Sequence, residues 1–116
     1  MKKLFLLILI VLFLPSCLSN GIETILKDIE TYIGERPDSA LVVLDSIDRN
    51  LLTTQRTRSH HALLHAMALD KNYIDVSDDS LAQTALKYYE NHGDKIYKAR
   101  SLYYLGLSYY YSQEYD

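Results

Sequence analysis

The chain has 116 residues, 48% hydrophobic and 23% charged, with a formal net charge of −3. That length suits one small domain. One cysteine excludes an internal disulfide, and the acidic balance without a basic stripe argues against direct nucleic-acid binding by this segment.

The chain opens on Met1-Lys2-Lys3, followed by apolar residues from Leu4 to Leu14 and then Pro15-Ser16-Cys17. A basic start, a short apolar run and a small residue before a cleavage point have the layout of a secretory signal. A membrane span needs about 20 apolar residues, and this run is roughly half that. Leu14-Pro15-Ser16-Cys17 resembles the lipobox of bacterial lipoproteins. The resemblance implies a signal peptide over 1–16 and lipidation of Cys17 by a diacylglyceryl group and palmitate, with 17–21 as a tether. Beyond the signal there are ten Lys/Arg, 12 less Lys2 and Lys3, against 15 Asp/Glu, so the charge there is −5. Both phenylalanines, Phe5 and Phe13, precede Cys17, which leaves tyrosine as the only aromatic downstream.

From residue 22 the apolar spacing is helical throughout. Ile22, Ile25, Leu26, Ile29 and Ile33 mark a first helix that Gly34 ends. Pro37 suits the first turn of a second helix, with Asp38 or Ser39 as its cap and Ala40, Leu41, Leu44 and Ile47 on one face. A third helix carries Ala62, Leu63, Ala66, Met67 and Leu69. Ser77, Asp78 or Asp79 caps a fourth, with Leu81, Ala82, Ala85, Leu86 and Tyr89 inward and Gly93 at its end. Residues 94–113 form a fifth. There is no sustained period-two alternation and no Asn-Gly or Asp-Gly hairpin signal. The expected fold over 22–116 is all-α, five antiparallel helices joined by short loops.

Leu102-x2-Leu105-Gly106-x2-Tyr109, with Tyr115 beyond, resembles the first helix of a tetratricopeptide repeat. Ala40-x3-Leu44 and Ala82-x3-Leu86 resemble the second helix of such a repeat. The resemblance implies a short solenoid of stacked helix pairs. Gly106 would be a point of close helix approach, the other named residues would pack between helices, and the last repeat would be incomplete. Pro-Asp-Ser-Ala-Leu at 37–41, Ala-Leu-Asp-Lys-Asn-Tyr at 68–73 and the Tyr-Tyr-Leu-Gly run at 103–106 are also similar to lipid-anchored repeat proteins of Bacteroidetes. By the same analogy Arg100, Tyr103, Leu107 and Tyr110 face a peptide-binding groove.

Histidines at 60, 61 and 65 invite a metal reading, because His61 and His65 share a helix face. No glutamate sits between them as in a His-Glu-x2-His motif, so surface or groove histidines are expected instead. Asp75, Asp78 and Asp79 lack the glycine and distal glutamate of a calcium loop and read as helix caps. The four glycines are isolated, so no phosphate loop is present. The expectation is a non-enzymatic module without cofactor or metal. It would be lipid-anchored in the cell envelope facing the periplasm, and would bind a protein or peptide. The alternative is the sensor portion of a longer membrane-spanning transcriptional regulator.

Overall fold

The computed structural model describes residues 21–114. The expected signal segment, Cys17, most of the expected tether and Tyr115 lie outside the described residues. The described chain is all-α, as its spacing predicts. Helix α1 covers residues 21–32, α2 Pro37–Ser46, α3 Gln55–Lys71, α4 Ser80–Tyr89 and α5 Lys95–Glu114. A single 3-10 turn, Arg49–Leu51, lies between α2 and α3. Gly21, expected in the tether, is already helical.

Local chemistry sets most boundaries. Pro37 opens α2, where its missing N–H costs nothing. Neither Asp38 nor Ser39 caps that helix: Arg36 occupies the cap position and makes no side-chain cap bond. The start of α3 is a reciprocal capping box that the sequence reading missed. Thr54 Oγ1 accepts from the Thr57 backbone N–H at 3.1 Å, and Thr57 Oγ1 accepts from the Thr54 N–H at 3.2 Å. Asp78 accepts from the Ser80 N–H at 2.7 Å and so serves the entry to α4. Between α4 and α5, Gly93 takes φ +75°. L side chains rarely adopt that conformation, so glycine turns the chain without strain, although a Cβ there would meet the Tyr89 ring only at an ordinary contact distance of 3.4 Å.

Helix α3 sits at the centre, packed against α2, α4 and α5. Thr57, Ser59, His60, His61, Ala62, Leu63, Leu64, Met67 and Ala68 are all buried along it. Of these, Leu63, Leu64, Met67 and Ala68 join one core with Ile22, Leu26, Ile29 and Ile33 of the first segment, Ala40 and Leu44 of α2, and Ala85 and Tyr89 of α4. Leu26, Ile29, Leu44, Leu63 and Leu64 are among the fully buried large side chains. Each contributes about 1.5–3 kcal/mol by leaving water.

At its C-terminus α3 ends in a Schellman turn. The Ile74 N–H bonds to the Leu69 carbonyl and the Tyr73 N–H to the Asp70 carbonyl, both at 2.9 Å. The left-handed position, φ +60°, is held by Tyr73 rather than by glycine, and its ring is 93% exposed. A side chain in that region costs about 1–2 kcal/mol, and nothing is buried in return. Tyr73→Gly is expected to stabilise the fold by about 0.5–1 kcal/mol after the greater unfolded-state freedom of glycine is deducted. Thermal circular dichroism checks this. A lower melting temperature for the variant would contradict it.

Candidate functional site

Two concavities flank the buried core. The narrower is a cleft between the C-terminal half of α3, the 72–79 connection, the start of α4 and α5. It spans about 340 Å³, counting space open to solvent, and is lined by Ala66, Asp70, Ile74, Val76, Asp78, Leu81, Ala82, Tyr104, Leu107, Ser108 and Tyr111. Its walls are mostly apolar, with two carboxylates, Asp70 and Asp78. The Tyr104 and Tyr111 hydroxyls sit near acids. Burial, reinforced by the Asp70 charge, pushes the Tyr104 phenol up to about 12. The Tyr111 phenol is also raised, by desolvation first and by the nearby Asp75, to which it hydrogen-bonds. Both stay neutral donors across the physiological range.

The wider concavity, about 900 Å³ and open to solvent, lies where residues of α1, α3 and the α4–α5 turn meet. Lys27, Arg56, His60, Tyr88, Tyr89, Gly93, Asp94 and Tyr97 line it. At its base the Glu30 carboxylate accepts from His60 Nε2 at 2.5 Å and from the Tyr97 hydroxyl at 3.2 Å. Tyr97 stacks on Tyr89 with ring centroids 4.9 Å apart. This network joins α1, α3 and α5 through groups that are all at least partly buried.

The histidines are not surface groups. His60 and His61 are buried, and His65 is partly so. They do not converge on a metal: the described residues contain no cluster of three ligand-type side chains. Each instead docks a different neighbour. His60 reaches Glu30, His61 Nε2 donates to the Leu44 carbonyl at 2.9 Å, and His65 Nε2 meets Asp45 Oδ1 at 3.2 Å. His61 and His65 touch edge to face at 5.6 Å. Burial pushes the His60 imidazole down, although Glu30 pulls the other way. Burial also pushes His65 down against the pull of Asp45. A neutral ring donating from Nε2 leaves the buried His65 Nδ1 as a bare acceptor, and it has no hydrogen-bond partner among the described residues.

On α5 the structure redistributes the residues that the sequence singles out. The face turned inward is Tyr97, Ser101, Tyr104, Ser108 and Tyr111, spaced four, three, four and three. Ser101 and Ser108 are buried. Their hydroxyls bond to the Tyr97 and Leu105 carbonyls of the same helix, both at 2.7 Å, so they cost little there. These serines, and not Gly106, are the small residues at the helix contact. A Cβ on Gly106 would meet nothing within 4 Å. Leu102 and Tyr109 are 49% and 48% exposed, and the Tyr109 hydroxyl accepts from Gln83 Nε2 of α4 at 3.4 Å. The expected close approach is absent at Gly106 among the described residues because α5 is apolar around most of its circumference, and spacing alone does not say which arc meets the core. Leu105 is half-buried. Ala40, Leu44 and Ala82 are buried and Leu86 half-buried, as expected. Of the four expected groove residues, only Leu107 lines the cleft. Arg100 lies outside its lining, and Tyr103 and Tyr110 are 58% and 60% exposed.

No family model, curated protein or solved structure matches the chain. No described helix is long and apolar enough to cross a membrane.

The two lowered imidazoles link stability to pH. The folded state favours neutral His60 and His65, whereas the unfolded chain protonates near the ordinary value of 6.5. Their contribution is complete above that value and falls as pH drops through it, until the lower folded values are passed. Urea unfolding at pH 7.5, 6 and 5 is expected to show decreasing stability. His65→Asn is expected to flatten the slope, and an unchanged slope in that variant would contradict the assignment.

Proposed function

We propose that this protein is a lipid-anchored, extracytoplasmic helical module that binds a protein or peptide and performs no catalysis itself. The anchor rests on the Leu14-Pro15-Ser16-Cys17 motif and the signal-like segment before it. The binding role rests chiefly on one observation. The cleft beside α5 is apolar, concave and built partly from an irregular connection, residues 72–79, held across a rigid helix. Such a surface suits an extended or helical segment with apolar side chains. Asp70 and Asp78 at its walls favour a basic residue in that segment, and the Tyr104 and Tyr111 hydroxyls supply neutral hydrogen bonding. Tyrosine offers contact area at low entropic cost.

Peptides enriched from a displayed library on residues 21–116 are expected to be apolar with at least one Lys or Arg. Leu107→Glu, which places charge in the cleft without touching Leu63 or Leu64, is expected to reduce binding by tenfold or more, about 1.4 kcal/mol. Failure to enrich any sequence, or binding indifferent to that substitution, would refute the reading. For the anchor, metabolic labelling with palmitate is expected for the wild type and lost in Cys17→Ser. Retained labelling would place the lipid elsewhere.

A further inference from the structure

The solvent-facing arc of α5 is a candidate surface that the cleft does not use. From Ser101 to Gln113 the helix carries no charged residue. Yet Leu102, Tyr103, Tyr109 and Tyr110 on this arc are 49%, 58%, 48% and 60% exposed, with the Tyr109 hydroxyl at the edge accepting from Gln83 of α4 at 3.4 Å. A surface helix ordinarily turns charge outward. Here the outward stripe is Ala99, Leu102, Tyr103, Gly106, Tyr109, Tyr110 and Gln113. At 3.6 residues per turn these positions fall on one side.

The stripe is close to palindromic about Gly106. Tyr103 and Tyr109 lie three residues before and after it, Leu102 and Tyr110 four, Ala99 and Gln113 seven. We propose that α5 pairs with α5 of a second copy, antiparallel, on a two-fold axis passing beside Gly106. In that register Tyr103 meets the partner copy's Tyr109, and Leu102 meets its Tyr110. An isologous contact needs self-complementarity of this kind. The missing side chain at 106 lets the two backbones come close at the axis, and the uncharged stripe leaves no like charges facing each other. A glycine inside a helix weakens it relative to alanine, and no neighbour among the described residues requires it. The pairing gives the glycine a reason.

A second copy also fits by size. Tyrosines bury of order 200 Å² each, and three half-exposed ones with Leu102 and the small residues offer of order 500 Å² per copy. The pair would bury about 1,000 Å², at the lower end for a specific interface and appropriate to a reversible dimer. The proposal is independent of the cleft, because Leu107, Tyr104 and Tyr111 are not in the stripe.

Residues 21–116 contain every buried residue named above and omit the apolar signal, which would associate by itself. Sedimentation equilibrium of this chain at about 100 µM, where a small interface is occupied, is expected to give twice the monomer mass. Gly106→Gln is expected to give a monomer with equal or higher helicity and melting temperature, since the position is open in the isolated fold. A mixture of Ala99→Cys and Gln113→Cys chains is expected to form the mixed disulfide in preference to either self-linked species. A monomeric wild type, a dimer that survives Gly106→Gln, or preferential self-linking at 99 would each overturn the proposal. Leu107→Glu is expected to leave the dimer intact, so loss of peptide binding and loss of pairing are read separately.

Discussion

Everything in this fold hangs on the need to cover α3 on all sides. Its buried residues run around most of the circumference, from Thr57 and Ser59 through Leu63, Leu64 and Ala68. An isolated helix of that kind is stable neither in water nor against one neighbour. The chain therefore wraps it with the first segment and α2 on one side and with α4 and α5 on the other. The polar groups on α3 turn this coverage into a specific arrangement. Ser59 donates to the Thr84 carbonyl at 3.3 Å, His61 to that of Leu44, and Asn72 to that of Pro37 at 2.9 Å. His60 addresses Glu30. A buried polar group left unsatisfied costs about 1–3 kcal/mol, so each of these bonds excludes a shifted register of one neighbour.

The same logic explains why α5 has two characters. Its inner arc is narrow, with two serines letting it approach the rest of the fold and Tyr97 reaching across to Glu30. Tyr104 and Tyr111 spread from that arc to make one wall of the cleft. The outer arc touches the rest of the described fold at its edge, where the Tyr109 hydroxyl accepts from Gln83 of α4 at 3.4 Å, yet it keeps exposed tyrosines and a leucine where a solvated helix would place lysine or glutamate. The two tyrosine-rich arcs point in different directions.

How much of this was legible in the residues varies with the kind of signal. Apolar spacing marked all five described helices and Pro37 marked a start, because its backbone chemistry acts locally; Gly93, expected as the cap of α4, lies three residues beyond the Glu90 cap, in the turn to α5. Ala40, Leu44 and Ala82 were recognisable as packing positions because each is a small or branched residue on a one-sided helix. The histidines were expected at the surface or in a groove; His60 does line the wider concavity, but the burial of His60 and His61 was not foreseen. Nothing adjacent in the chain discloses that Glu30 lies against His60, or that the Leu44 carbonyl waits for His61. The Thr54–Thr57 box was visible in principle as two hydroxyl residues three apart before a helix.

The amino-acid order by itself determined the helical class, the helix count and most helix ends, since propensity, proline and glycine act within a few residues. It also carried the signal-like segment and the motif at Cys17, which need no fold to be read. Only the tertiary structure decided which arc of α5 turns inward. A helix that is apolar all round has no preferred face until its neighbours arrive. Once Ser101 and Ser108 had taken the contact, Gly106 and Leu102 were left facing outward and Tyr109 at the edge beside Gln83, and the cleft fell to Leu107 and its neighbours rather than to Tyr103 and Tyr110.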